Sequence, residues 1–213
     1  MLSVRGRKPA AVLTEPLAKM LLQVGLTPNA VTVIGAFITI IIAVTLIPTG
    51  HLVLAAVLSA LFTTFDLIDG TMARLRGSGT AFGATLDATC DRITDGVLFA
   101  SITWWLIFSY EASHSLIAAS FTVVIASQVI SYVKARGEAS GLTMDGGLIE
   151  RAERLIIGLL GLGLTGLGVP WAIDIALWVL AVGSVFTVIQ RLAMAKKDPR
   201  ALDPIAPPTG AKL

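Results

Sequence analysis

Apolar runs of about 20 residues recur along this chain, each long enough to cross a hydrocarbon core about 30 Å thick. No other feature narrows the fold as far. Inside lipid, backbone N–H and C=O groups find no water, so a spanning segment is a helix or part of a closed barrel. The strict alternation of barrel strands is absent, which predicts an all-α, polytopic membrane protein. The length of 213 residues suits one sizeable domain, and no internal repeat of the inverted transporter type is visible.

Caps and breakers place the helices. In Gly25-Leu26-Thr27-Pro28-Asn29, Thr27 can cap and Pro28 fits the first helical position, so a first crossing is predicted from there to Ile47, ahead of Pro48-Thr49-Gly50. Further helices are predicted over 51–75, 81–110, 113–138, 148–167 and 170–197, giving about six crossings. Gly158, Gly161 and Gly163 in the fifth favour close helix contact. Upstream, Pro9 to Val24 puts Leu13, Leu17, Met20, Leu21 and Val24 on one face and Glu15, Lys19 and Gln23 on another. That pattern predicts an amphipathic helix lying in the membrane interface, anchored by Arg5, Arg7 and Lys8. Glu15, Pro16 and Lys19 interrupt what would otherwise be the apolar region of a cleavable signal peptide. The expected organisation is an N-terminal segment over 1–26, a six-helix membrane domain over 27–197 and a disordered, Pro-rich tail over 198–213.

The net charge of +2 conceals an asymmetry. On this layout all 16 Lys and Arg fall on one side, whereas the opposite loops hold only Glu111, Asp174, His51 and His114. The excess of basic residues makes that side cytoplasmic, with both termini there and the protein in the plasma membrane. Topology alone explains part of the excess, but not why so many cations lie close to acids. The single cysteine, Cys90, excludes an intrachain disulfide and reads as a small packing residue.

Those acids form the second constraint. The pattern is Asp66-x2-Asp69-Gly70-x2-Ala73-Arg74-x8-Gly83-x3-Asp87-x3-Asp91, in a chain with only 14% charged residues. Spacings of i,i+3 and i,i+4 put each Asp pair on one helix face. The Gly-rich turn Arg76-Gly77-Ser78-Gly79-Thr80 reverses the chain between them. Four converging carboxylates repel one another unless cations sit among them. With no His or thiol cluster on offer, hard divalent ions, Mg²⁺ or Mn²⁺, are the matching partners. The bland alternative is a set of capping or solvated interfacial acids.

This spacing resembles the signature of the CDP-alcohol phosphatidyltransferases at all of its fixed positions. The resemblance implies a two-metal centre (two Mg²⁺, with Mn²⁺ as the alternative) held by Asp66, Asp69, Asp87 and Asp91. Asp66 and Asp87 would bridge, and Asp91 would be the general base on the acceptor hydroxyl; base and ligand roles for Asp91 both stay open. It further implies a CDP-lipid site with Gly70 and Ala73 kept small for close approach, Arg74 near the phosphates, and Pro28, Asn29 and Thr32 near the cytidine. Thr80 is a weaker member, and for Thr32 and Thr80 plain helix and turn chemistry is the competing reading.

At the same end of the bundle, Lys134, Arg136, Arg151, Arg154 and Arg191 come from three predicted helices. Such a basic pocket suits an acceptor carrying its own phosphate. The alternative is that these residues neutralise Glu138, Glu150 and Glu153. Within the family, the segments 86–93, 128–136 and 149–156 are similar to the actinobacterial phosphatidylinositol phosphate synthases. That similarity implies transfer of phosphatidyl from CDP-diacylglycerol to 1D-myo-inositol 3-phosphate (inositol 1-phosphate), with release of CMP. Lys134, Arg154 and Arg191 would then hold the acceptor phosphate, ahead of Arg136 and Arg151. Asp95, one turn beyond Asp91, lies outside the motif and is either a supporting partner or the ion-pair partner of Arg92. Other expected partners are membrane lipids and a second copy in a homodimer; no nucleic acid is expected. Competing readings are a phosphatidylglycerol phosphate synthase using glycerol 3-phosphate, a cation-coupled transporter with intramembrane acids, and an aspartate-rich membrane prenyltransferase.

Overall fold

The structure, a computed structural model, describes residues 7–63, 65–77 and 79–204, with the backbone alone for residues 7–13, 65 and 66. Several features anticipated above therefore lie outside the described residues: Arg5, Ser78, the tail from 205 onward, and the side chains of Arg7, Lys8, Leu13 and Asp66.

Among the described residues the fold is wholly helical. Its elements are α1 (Arg7–Gln23), α2 (Pro28–Leu46), α3 (Leu52–Thr63), α4 (Phe65–Leu75), α5 (Ala81–Phe108), α6 (His114–Ala139), α7 (Arg151–Gly166) and α8 (Ala172–Lys197). Four stretches are long and apolar enough to cross a membrane: 28–46, 52–75, 114–139 and 172–197. The other two predicted crossings differ in kind. Helix α5 has 28 residues but carries Asp87, Asp91, Arg92 and Asp95, and α7 has only 16. The helix predicted over 51–75 is described as two stretches flanking residue 64, with different neighbours: α3 packs on α2 and α7, whereas α4 packs on α1 and α2.

The main core joins α5 (Leu98, Phe99, Ile102, Leu106) to α6 (Leu116, Val123), α7 (Leu159, Leu162) and α8 (Ile173, Leu177, Leu180). Glycine in α7 makes this approach close. A Cβ on Gly161 would lie 2.4 Å from the Ala176 Cβ, and one on Gly158 would lie 3.0 Å from the Phe99 ring. Where lipid offers no hydrophobic drive between helices, such backbone proximity supplies the association. The outer surface is correspondingly apolar: Phe37, Ile125, Ile175 and Val182 are each more than 60% exposed, as expected of side chains that face acyl chains.

A smaller core anchors α1. Ala18, Leu21 and Leu22 pack with Val31, Ile68 and Met72, and the Thr14 and Thr71 hydroxyls lie 3.0 Å apart. Leu17, Met20 and Val24 stay exposed, so the apolar stripe predicted for this helix divides between a protein-facing and an outward face.

The connection from α6 to α7 is packed rather than loose. Met144 is buried in the space left by Gly137, where a Cβ would come within 2.5 Å of it, and Ile149 fills the notch at Gly183. The amides of Leu148 and Ile149 donate to Gln190 Oε1 (3.1 Å) and Thr187 Oγ1 (3.0 Å). These bonds keep residues 148 and 149 in a bend, out of the helix. Helix α7 accordingly begins only at Arg151, with the Glu150 amide donating to Glu153 Oε2 at 3.2 Å as half of a capping box. Beyond α8, the first residues of the tail are tied to the α6–α7 connection. Asp198 Oδ2 accepts from the Thr143 amide at 2.8 Å, and residues 198–203 continue in turns. Hydrogen bonds from the Thr143 and Arg200 amides hold the Asp198 carboxyl down at about 2. At the far end of the bundle, Tyr110 Oη donates to Asp174 Oδ2 at 2.9 Å. Burial first, and then that carboxylate, push the phenol upward.

Candidate active site

A cavity of about 710 Å³ opens where α2, α4 and the start of α5 meet. Its walls include Pro28, Asn29, Thr32, Asp69, Gly70, Ala73, Thr80 and Asp87, all singled out from the sequence. Thr27, Arg76, Gly79, Ala81, Gly83 and Ala84 complete it. The size suits a drug-sized or nucleotide-sized ligand.

Two helices begin at this cavity. Thr27 caps α2 by accepting from the Ala30 amide (3.2 Å), and Thr80 caps α5 by accepting from the Gly83 amide (2.9 Å). Helix N-termini carry partial positive charge and unsatisfied N–H groups, which favours an anionic ligand beside them. Thr80 thus does turn chemistry and lines the cavity at once. Gly83 must be small, because a Cβ there would stand 3.0 Å from Thr80 Oγ1 and 3.1 Å from Asn29 Oδ1. Arg74 is not among the lining residues. Its Nη2 donates to Thr71 Oγ1 at 2.9 Å, and Arg76 takes the position on the wall. The Arg74 guanidinium stays near the rim, since its Nη1 lies 3.7 Å from where a Cβ on Gly70 would be.

Asp69 is buried, at 6% exposure, and its Oδ2 accepts from the Thr32 hydroxyl. Across the cavity stands Asp87. Among the described residues no three acidic, His or Cys side chains form an assembled metal cluster; the Asp66 carboxylate lies outside them. The described donors fit a hard divalent cation. Asp69 and Asp87 offer oxygen alone and face one water-sized or larger space from two helices.

Asp91 is one turn further into the bundle and has a different setting. Its Oδ1 is 2.9 Å from Arg151 Nη2, and its Oδ2 is 3.5 Å from Arg92 Nη2. Arg151 Nε reaches Asp95 Oδ1 at 3.2 Å, and Asp95 Oδ2 receives Arg154 Nη2 at 3.1 Å. An alternating chain, Asp91–Arg151–Asp95–Arg154, therefore runs from the motif to the basic residues of α7. Among the described residues Asp95 pairs with these two arginines, the arrangement of a supporting partner. Arg191 is braced separately: Nη1 donates to the Ile130 carbonyl at 2.7 Å, Nε to the Gly146 carbonyl at 3.3 Å, and Nη2 lies 3.4 Å from Glu150 Oε1. Lys134 pairs with Glu138 at 3.8 Å on the surface, and Arg136 is exposed on the last turn of α6. Lys134 and Arg191 thus each face a local glutamate, whereas Arg151 and Arg154 pair with the aspartates of α5. Sequence reasoning passed over Arg76 and left Asp95 undecided; the one available signal for Asp95 was its place one turn beyond Asp91 on the same face.

A helical membrane bundle with a carboxylate-lined cavity at one end defines a class, and the whole-chain comparison agrees. Residues 25–189 match the CDP-alcohol phosphatidyltransferase family, and the chain belongs to it. It is therefore an enzyme, a membrane-embedded phosphatidyltransferase of phospholipid synthesis. Across its full length it is 63% identical to the phosphatidylinositol phosphate synthase of Corynebacterium glutamicum, covering 97% of that protein. It is 52% identical to the corresponding synthase of Mycobacteroides abscessus over 95% of this chain and 92% of that one. Among solved structures, the phosphatidylinositol phosphate synthase of Mycobacterium tuberculosis with CDP-DAG bound superposes with a TM-score of 0.87 at 48% identity, covering 91% of this chain and 98% of that one. A structure of the same synthase in complex with manganese and citrate gives 0.86, covering 91% of this chain and 93% of that one.

Proposed function

We propose that the protein transfers the phosphatidyl group of CDP-diacylglycerol to the hydroxyl of inositol 1-phosphate, giving phosphatidylinositol phosphate and CMP. The observation that carries the acceptor assignment is a pair of buried cations from two different helices: Arg154, joined to Asp95 one turn beyond Asp91, and Arg191, braced by the Ile130 carbonyl. A neutral polyol has no use for them, while a phosphate takes the planar guanidinium fork in two-point contact. The similarity to named phosphatidylinositol phosphate synthases over the full chain supports the same reading.

In this scheme the nucleotide end lies in the cavity, with cytidine against Pro28, Asn29 and Thr32 and the pyrophosphate near Gly70, Ala73, Arg74 and Thr80. Small residues there let the ligand reach the helix backbone. Asp66, Asp69, Asp87 and Asp91 would hold two Mg²⁺ ions, with Mn²⁺ as the substitute. Ions bound there would stabilise charge on the attacking and leaving oxygens. Thr32 fixes the orientation of the Asp69 carboxylate through its hydroxyl. Asp91 takes the proton of the acceptor hydroxyl, and its two flanking arginines hold it in place. Lys134, Arg154 and Arg191, with Arg136 and Arg151 at the margin, hold the acceptor's phosphate. Placement and charge stabilisation of this kind supply most of the rate in phosphoryl-type transfers.

The same reading puts the site and both termini on the cytoplasmic face of the plasma membrane, with six crossings over 27–197, α1 on the interface, residues 198–213 as a cytoplasmic tail and two copies forming a homodimer. CMP release from purified protein, compared with inositol 1-phosphate and with glycerol 3-phosphate, tests the assignment. Turnover is expected with the first; turnover with only the second would make the protein a phosphatidylglycerol phosphate synthase instead.

A further inference from the structure

We infer that Asp95, which lies outside the phosphatidyltransferase signature, is the positioning residue for acceptor recognition: one carboxylate sets two of the arginines, Arg151 and Arg154, that meet the acceptor's phosphate. The inference rests on the phosphorylated-acceptor reading given above.

The geometry is specific. Asp95 and Arg154 are each 1% exposed, so their charges meet far from water. A buried guanidinium without a counter-charge is strongly unfavourable, which makes Arg154 dependent on this acid. Yet the contact is a single point. Only Nη2 of Arg154 reaches Asp95 Oδ2, while Nε and Nη1 are buried with no hydrogen-bond partner among the described residues. A purely structural pair would be expected to engage two nitrogens with both oxygens, in the parallel fork that satisfies guanidinium and carboxylate together. Here the second oxygen goes instead to Arg151 Nε at 3.2 Å, and the Arg154 fork is left incomplete. Shielded, unpartnered N–H donors carry a desolvation cost that a bound anion would relieve.

The same carboxylate also couples the pocket to the reacting end. Arg151 holds Asp95 through Nε and Asp91 through Nη2, so the direction of the Asp95 side chain sets that of the arginine gripping the proposed base. Acceptor phosphate and acceptor hydroxyl are thereby referred to a common anchor on α5, four residues from Asp91.

Steady-state CMP release by the purified full-length protein in detergent, with donor and acceptor titrated in turn, tests this. Asp95→Asn keeps the shape but removes the charge. The acceptor KM should rise about tenfold or more, the donor KM should stay within about twofold, and Asp95→Glu should recover most of the acceptor affinity. An unchanged or lower acceptor KM, or an equal rise in both constants with a lower melting temperature, would overturn the proposal. Because Asp95→Asn alone strands buried positive charge, the decisive comparison is Arg154→Gln against the charge-balanced Asp95→Asn/Arg154→Gln. If Asp95 acts through Arg154, adding its substitution should change the acceptor KM by less than about threefold; independent, multiplying effects would reject the coupling. The wild-type assay keeps the two ideas apart. Should it accept only glycerol 3-phosphate, the inositol reading falls, and the Asp95 comparison proceeds with that acceptor.

Discussion

The cavity and the cation cluster lie close to the same carboxylates but are built in opposite ways. The cavity is made of short-range pieces: a capped helix start, a glycine turn and small residues on α4 and α5, all between Thr27 and Asp87. It is open and tolerant of a large ligand. The cation cluster depends on contacts between residues 56, 59 and 61 positions apart in the chain, and its central ion pair is shielded from solvent. An open, locally built site suits the part of the reaction common to the whole family, the grip on a CDP-linked lipid. A buried site set by tertiary packing suits discrimination, because a charge placed without water punishes any acceptor that leaves it unmatched.

Substitutions can break that division or sharpen it. The largest effect is expected at the junction, where Asp91→Asn should lower kcat about 10²- to 10⁴-fold, the usual contribution of a general base, while sparing donor binding. Normal turnover by this variant would remove Asp91 as the base. Next comes the acceptor side alone: Arg154→Ala should raise the acceptor KM by about 10- to 100-fold, in line with loss of a charged hydrogen bond, and leave the donor KM nearly unchanged. Equal shifts in both would mark Arg154 as structural. Smallest is the donor side. In Gly83→Ala the new methyl would crowd Thr80 and Asn29 at 3.0 and 3.1 Å, and the donor KM should rise a few-fold with the acceptor KM unmoved. A matching rise for the acceptor would mean that the two regions are not separable.

The same contrast explains what could be read from the residues alone. The helices were legible because capping and glycine chemistry act over a few positions. Thr27 caps where expected, and Gly158 and Gly161 do bring α7 against its neighbours. The cavity was legible too, since Asp69, Gly70, Ala73, Gly83 and Asp87 follow a local signature and face one space. The start of α7 was misplaced because Met144 and Ile149 are pinned outside the helix by Gly137, Gly183 and Thr187, partners on other helices. Arg74 was expected near the phosphates; its guanidinium bonds Thr71 by the rim, and Arg76, which had not been singled out, stands on the wall. Asp95 stayed undecided for the same reason as α7: both arginines it holds are on a helix that no local pattern connects to it.

One measurement bears most directly on the claim that buried arginines read a phosphate on the acceptor. CMP release from CDP-diacylglycerol is followed with inositol 1-phosphate and, in parallel, with unphosphorylated myo-inositol. The account predicts that kcat/KM for the phosphorylated acceptor exceeds that for the neutral one by about 10²-fold or more, as expected when a site built around a charged group loses its match. Comparable turnover of the two would contradict it, leaving Arg154 and Arg191 as supports of the fold with no part in choosing the substrate.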